Sequence, residues 1–263
     1  MTRRSTPPRL PAPFSRGGFT VRFAESARDL HRAQELRHLC FVDAAGRPAR
    51  PDARDADQFD PLCDHVLVEA AGRLVCTFRL MPYANGAEAR GGYTAGHYDL
   101  RALADHPGPM VELGRFCIAP GGEGADLLRV AWGMIAAYVD GIDAALLFGC
   151  SSFAGTDPQP YGAAFDLLAA RHLAPVPWRV GRGARPAVAF ADSAAPVSDH
   201  RRALGQVPPL LRSYLTMGGW VSDHAVIDHE MNTLHVFTGL QISAIPPARA
   251  RALRAIAAEA GAG

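Results

Sequence analysis

Charged residues set inside apolar runs carry the chemical information in this sequence. One group is Arg37 with Phe41, followed by Asp55-x-Asp57-Gln58-Phe59-Asp60-x-x-Cys63-Asp64-His65. The other is the pair Phe78-Arg79-Leu80-Met81-Pro82 and Glu112-Leu113-Gly114-Arg115-Phe116. A buried charge is costly unless it is paired, so these arginines and acids need partners or a task. Strand alternation puts Glu112 and Gly114 on one face and Leu113 and Arg115 on the other. Only a bulge near Gly114 would turn Glu112 and Arg115 to the same side. Other chemistries find little support. No G-x-S-x-G elbow is present for a serine hydrolase. The ten histidines form no H-x-x-x-H helix, and no two cysteines have C-x-x-C spacing, so no metal site is expected. Asp64-His65, Asp223-His224 and Asp228-His229 have the composition of relay pairs, but neighbours on a strand point apart.

The elements that must position these residues follow from periodicity and turn chemistry. Residues 1–18 read as a disordered arm rich in Pro and Gly, without the apolar core of a signal peptide. Phe19 to Phe23 alternates as a strand, and Ser26 caps a helix carrying Leu30, Ala33, Leu36, Cys40 and Phe41. Residues 44–61 form a polar loop; 65–69 and 74–80 form a hairpin across Gly72-Arg73. A second polar insertion runs from 82 to 109. A strand over 111–118, a Gly turn, a helix over 126–139 and an apolar strand over 144–150 follow. In the helix, Leu127, Val130, Ala131, Met134, Ile135 and Tyr138 share a face. Later come helices at 161–172 and 208–217, an irregular stretch over 175–196 that contains a strand, further strands at 225–227 and 234–237, and a closing helix at 246–258. The order describes a mixed α/β sheet.

Composition narrows the function classes. Of 263 residues, 48% are hydrophobic and 20% charged, which excludes global disorder. All 27 basic residues are arginine against 26 acids, a net charge of +1, so no field calls for nucleic acid. Without lysine there is no Walker-type phosphate lysine, Schiff base or lysine general base. Five scattered cysteines read as buried reduced thiols. No apolar run is long enough to span a bilayer.

The ordered motifs resemble the acyl-ACP-dependent N-acyltransferases that share the GNAT fold. Acyl-homoserine-lactone synthases are similar in Arg37, Phe41, Asp57, Asp60, Arg79, Glu112 and Arg115. The ornithine N-acyltransferases of ornithine-lipid synthesis are similar in Asp60-x-x-Cys63-Asp64-His65 and Glu112-Leu113-Gly114-Arg115. They are also similar in Leu147-Phe148-Gly149-Cys150-Ser151-Ser152-Phe153-x-Gly155-Thr156-Asp157-Pro158. The segment from Tyr214 to Asp228, with Asn232-Thr233, belongs to this second branch alone. A shorter match, His38-x-x-x-x-Asp43, is similar to a motif of glycerolipid acyltransferases but lacks its second motif.

The resemblance implies a GNAT-like α/β (α+β) fold: a mixed, splayed central sheet flanked by helices, with a C-terminal extension. The acyltransferase domain would cover 19–245 and a helical tail 246–263. It implies transfer of a 3-hydroxyacyl chain from acyl-ACP to the α-amino group of ornithine, without a permanently bound cofactor. An acyl-homoserine-lactone synthase and a non-catalytic acyl-ACP-binding protein are the alternatives. Glu112 would be the base. Arg37, Phe41, Asp57, Asp60, Arg79, Arg115 and Asp157 would contact the acceptor. Several have a second reading: an ion pair with Arg79 or Arg115 for Glu112, a solvated acidic loop for Asp57 and Asp60, a brace of that loop for Arg37 and Arg79, and a helix cap for Asp157. The pantetheine arm would lie along Phe116, Ile118, Gly122, Gly124, Gly149 and Cys150. Ala119 stands where acetyl-CoA enzymes of this fold have Arg or Gln, which favours a carrier protein over CoA. The partners implied are acyl carrier protein and an amino acid, in the cytoplasm, with peripheral contact at the inner membrane left open.

Overall fold

The computed structural model describes residues 10–121, 124–190 and 199–258. The first half contains β1 (Phe14–Arg16), β2 (Phe19–Phe23), α1 (Ala27–His38), β3 (Asp64–Ala70), β4 (Arg73–Tyr83), α2 (Gly86–Ala89), β5 (Tyr98–Asp99) and β6 (Met110–Ile118). There follow α3 (Gly124–Gly141), β7 (Leu146–Ala154), α4 (Gly162–Arg171), β8 (Gly181–Arg182), β9 (Ala187–Ala189) and α5 (His200–Gln206). The chain ends with α6 (Pro209–Thr216), β10 (Trp220–Asp228), β11 (Thr233–Gln241) and α7 (Pro247–Ala258). These elements form two compact units. One comprises Thr2–Pro82, Leu113–Ala144 and Pro246–Gly263; the other comprises Tyr83–Glu112 and Ala145–Ile245.

In the first unit the strand order is β1-β2-β3-β4-β6. The expected arm ends earlier than residue 18. Phe14 is buried, and β1 pairs antiparallel with β2 across Gly17-Gly18, both at positive φ, the backbone a two-residue hairpin turn demands. Ser26 caps α1 as expected, accepting from the Asp29 amide at 3.1 Å. The helix then loosens into a π-turn at Leu39–Asp43. That i→i+5 repeat brings His38 Nδ1 to 3.4 Å from Asp43 Oδ2. His38 Nε2 accepts the Arg50 amide at 3.1 Å, so neither nitrogen is left for a substrate. The predicted face of α3 is buried at all six positions. Its Gly133 packs on Ile256 of α7, leaving no space for a side chain.

In the second unit the order is β6-β7-β11-β10-β9, with β7 and β11 paired from Leu146↔Gln241 to Ala154↔Thr233. A register shift in β10 between Val221 and Ala225 interrupts alternation. Here the expectation that Asp223 and His224 point apart fails: the bulge sets His224 Nδ1 2.7 Å from Asp223 Oδ1. The Ser222 hydroxyl takes up the Phe237 amide at 3.1 Å. The polar insertion over 82–109 carries buried residues of its own, Tyr83, Tyr98, Leu100 and Leu103. Helix α5 was not anticipated; it is seven residues long and polar on most positions. Of the five thiols, all free, Cys76 and Cys117 are buried while Cys40, Cys63 and Cys150 are half-buried.

Filling the α3–α7 contact tests the first unit. Gly133→Val is expected to cost about 1–3 kcal/mol by overpacking against Ile256, read as a lower urea midpoint and earlier proteolysis of α7.

Candidate active site

The arginine and acid motifs of the first unit close into a ring. Arg37 Nε donates to Asp55 at 3.0 Å and its Nη1 to Asp60 at 2.8 Å. Arg79 Nη1 reaches Asp60 at 2.6 Å, and its two terminal nitrogens hold Asp57 at 2.6 and 2.8 Å. Arg115 completes the circuit to Asp57 at 3.1 Å and Asp55 at 2.9 Å. Each guanidinium bridges two carboxylates and each carboxylate two guanidiniums, with Gln34 adding a bond to Asp60 at 2.9 Å. Three positive and three negative charges cancel. Arg115 reaches its place at φ 52°, a left-handed backbone that departs from strand alternation one residue after Gly114. A local irregularity was expected there.

This geometry shows what each of these side chains is bonded to. Arg37 is only 1% exposed and, with Arg79, braces the acidic loop instead of opening toward a carboxylate. Asp57 and Asp60 are likewise held by arginines. Asp55 completes the ring although sequence reasoning gave it no role; its Asp-x-Asp spacing with Asp57 was the available signal. Burial alone would raise the Asp60 carboxyl, but the charge and hydrogen bond of Arg37, with Gln34 and Arg79, bring it down to about 2. Asp55 and Asp57 are lowered too, their arginines outweighing burial.

Glu112, at the end of the other unit's first segment, is met by a different set. Its Oε2 accepts the Tyr83 hydroxyl at 2.5 Å. Its Oε1 accepts both the amide and the hydroxyl of Thr94, at 2.7 and 2.5 Å. Hydroxyls and an amide, not an arginine, therefore answer this carboxylate, which is 3% exposed. A Cβ on Gly92 would overlap the Tyr83 hydroxyl and the Glu112 carboxylate, so only glycine lets the chain pass so close. The Thr94 hydroxyl also lies 3.7 Å from Cys150 Sγ on β7. A carboxylate, a hydroxyl that can pass a proton and a thiol thus stand in sequence. Tyr83, Gly92 and Thr94 escaped sequence reasoning because they lie in an insertion without periodicity.

The remaining predicted residues scatter. Asp157 is exposed and accepts the Gln159 amide at 3.0 Å, so it caps the turn before α4. Phe41 lies in the π-turn, where its carbonyl takes Arg47 at 3.0 Å. Phe116 stacks on Phe78, centroids 5.4 Å apart. The Ile118 carbonyl, expected to be exposed for a donor arm, accepts the Cys40 thiol at 3.2 Å. Gly149 and Cys150 pair with Thr238 and Phe237 of β11. Gly124 opens α3, and Gly122 lies outside the described residues.

Two outcomes follow for the ring. Arg37→Ala leaves Asp55 and Asp60 short of a cation and is expected to destabilise the fold by about 3–5 kcal/mol, measured by urea unfolding. Because Asp60 has a folded pKa below its unfolded value of about 3.9, its contribution is complete above that value. It is lost as pH falls through about 2. The urea midpoint is therefore expected to fall steeply between about pH 4 and pH 2, and less steeply in Asp60→Asn.

Residues 36–133 match the acetyltransferase (GNAT) domain family. The L-ornithine N(alpha)-acyltransferase of Rhodobacter capsulatus is 32% identical over 233 residues, covering 83% of this chain and 88% of the relative. The protein of the same name from Agrobacterium fabrum is 30% identical over 244 residues, covering 87% and 83%. Among solved structures, an N-acyl amino acid synthase from uncultured soil microbes superposes with a TM-score of 0.51 over 86% of this chain and 92% of that one, at 10% identity. That likeness bears on the fold alone. With its mixed sheet, its flanking helices and sequence identity along most of its length, the chain belongs to the L-ornithine N(alpha)-acyltransferase family of GNAT-fold enzymes.

Proposed function

We propose that this chain moves a 3-hydroxyacyl group from acyl carrier protein to the α-amino nitrogen of L-ornithine, giving a lyso-ornithine lipid. The activity of its relatives supports the acceptor and the reaction type. The observation that carries the chemistry is Glu112, fixed by three donors with the Thr94 hydroxyl between it and Cys150.

The α-ammonium of an amino acid has no lone pair at neutral pH, so one proton leaves before attack. Glu112 is enclosed, and the proton reaches it through the Thr94 hydroxyl, which takes one proton as it gives another to Oε1. The freed amine then attacks the thioester carbonyl. A C–N bond forms, the C–S bond breaks, and the second proton lost from nitrogen neutralises the departing pantetheine thiolate. The proton held by Glu112 returns to solvent. Transfer is direct: Cys150 forms no acyl-enzyme. The donor arm runs past Gly149 and Cys150 of β7. Among the described residues no helix is long and apolar enough to cross a membrane. The acylated product is membrane-seeking, which supports a reading in which a cytoplasmic enzyme makes peripheral contact with the inner membrane.

Purified protein with 3-hydroxyacyl-ACP and labelled ornithine is expected to yield labelled lipid, whereas labelled S-adenosylmethionine yields none. Glu112→Gln is expected to lower kcat by about 10²–10⁴-fold with an unchanged melting curve, Thr94→Val by less, and Cys150→Ala hardly at all. Near-normal turnover by Glu112→Gln removes the base; a trapped acyl adduct on Cys150 removes the direct transfer.

A further inference from the structure

We propose that His97, Asp228 and His235 hold a divalent transition-metal ion of the zinc class. The site uses none of the residues around Glu112 and stands independently of the acyl-transfer reading. All three side chains are buried, and one ligand atom from each lies within 4.8 Å of the other two. They come from separate places: His97 follows the turn Thr94–Gly96, Asp228 ends β10 and His235 lies in β11. No local spacing could announce such a set, which is why the absence of an H-x-x-x-H helix did not bear on it.

The hydrogen bonds assign the proton on His235. Tyr98 has one hydroxyl proton, and it goes to the His235 carbonyl at 2.7 Å. The phenol oxygen, 3.2 Å from His235 Nδ1, is therefore the acceptor, and the imidazole proton sits on Nδ1. The lone pair is then on Nε2, which is buried and has no hydrogen-bond partner. A buried lone pair that meets no protein donor is costly, and a cation satisfies it. An outer hydrogen bond that fixes the tautomer in this way is what metal-binding imidazoles require. On Asp228, the Met231 amide at 3.0 Å and Arg185 at 3.5 Å both take Oδ1. No hydrogen bond from the described residues engages Oδ2.

Two imidazoles and one carboxylate select the ion class. Calcium and magnesium take oxygen ligands, whereas nitrogen donors with a carboxylate suit zinc and its neighbours. Bonds of about 2.1 Å hold tetrahedral donors about 3.4 Å apart, so no pair of the three atoms has to close by more than about 1.4 Å on binding. The consequence would be mechanical. His97 ends the turn that begins with Thr94, its amide donating to the Thr94 carbonyl at 3.0 Å. An ion would fasten that turn to β10 and β11, and with it the hydroxyl that bonds Glu112.

The test loads the full chain with Zn²⁺, dialyses it and measures metal by mass spectrometry; Co²⁺ substitution adds a visible absorption band. The expected result is about one ion per chain, a raised melting temperature and a tetrahedral Co²⁺ spectrum. His235→Asn keeps a donor for Tyr98 but lacks the Nε2 lone pair, and His97→Gln and Asp228→Asn remove the other two ligands. Each folded variant is expected to lose at least about nine-tenths of the bound metal, while exposed His200→Ala retains it. Wild-type protein that emerges from dialysis without metal, or folded variants that hold as much as wild type, would overturn the assignment.

Discussion

Charge removed from water has to be answered by opposite charge or by donors, and that requirement shapes both clusters of this protein. In one unit, three arginines and three aspartates answer one another in a closed circuit. In the other, a single carboxylate is answered by two hydroxyls and a backbone amide. The difference matters chemically. A carboxylate locked between guanidiniums has its lone pairs committed to fixed cations and little reason to take a proton. One held by hydroxyls is connected to groups that donate and accept, so a proton can move through them.

The backbone is bent to serve these contacts. Arg115 adopts φ 52° inside a strand, a conformation that costs free energy for a residue with a Cβ. It brings the guanidinium onto Asp55 and Asp57, and the ring offsets the strain. Gly92 makes the opposite accommodation: with no side chain, it lets Tyr83 and Glu112 occupy the space that a Cβ would fill. Both devices lie close in sequence to Glu112 or within the insertion that meets it.

Elements with local signals were legible in the sequence. The hairpin over β3 and β4, the Ser26 cap and the buried face of α3 all follow from period and turn residues, and the structure has each of them. The residue types of the ring were legible too, since charges in apolar runs must pair. Its closure was not, because Arg37, Asp55, Arg79 and Arg115 are brought together only by tertiary folding. The insertion over 82–109 hid the most. Its buried residues, Tyr83, Thr94, Tyr98 and Leu103, are spaced without helix or strand period. It therefore read only as a polar insertion, although among the described residues it supplies the donors to the Glu112 carboxylate. Asp223 and His224 failed for the converse reason: alternation was assumed where a bulge suspends it.

The absence of lysine gains meaning at the ring. Every link there is a fork: Arg37 and Arg115 each direct nitrogens to two different aspartates, and Arg79 holds Asp57 with both terminal nitrogens while also reaching Asp60. A planar guanidinium does this with little further loss of freedom, because its donors are already set apart at fixed angles. An ammonium is a point charge on a flexible stem, and its compact head would demand that both carboxylates crowd one nitrogen. The circuit therefore depends on the shape of its cations as much as on their charge. A genome that uses arginine throughout would leave the ring's logic unchanged, whereas one that tolerated lysine elsewhere would still have to keep arginine at these three positions.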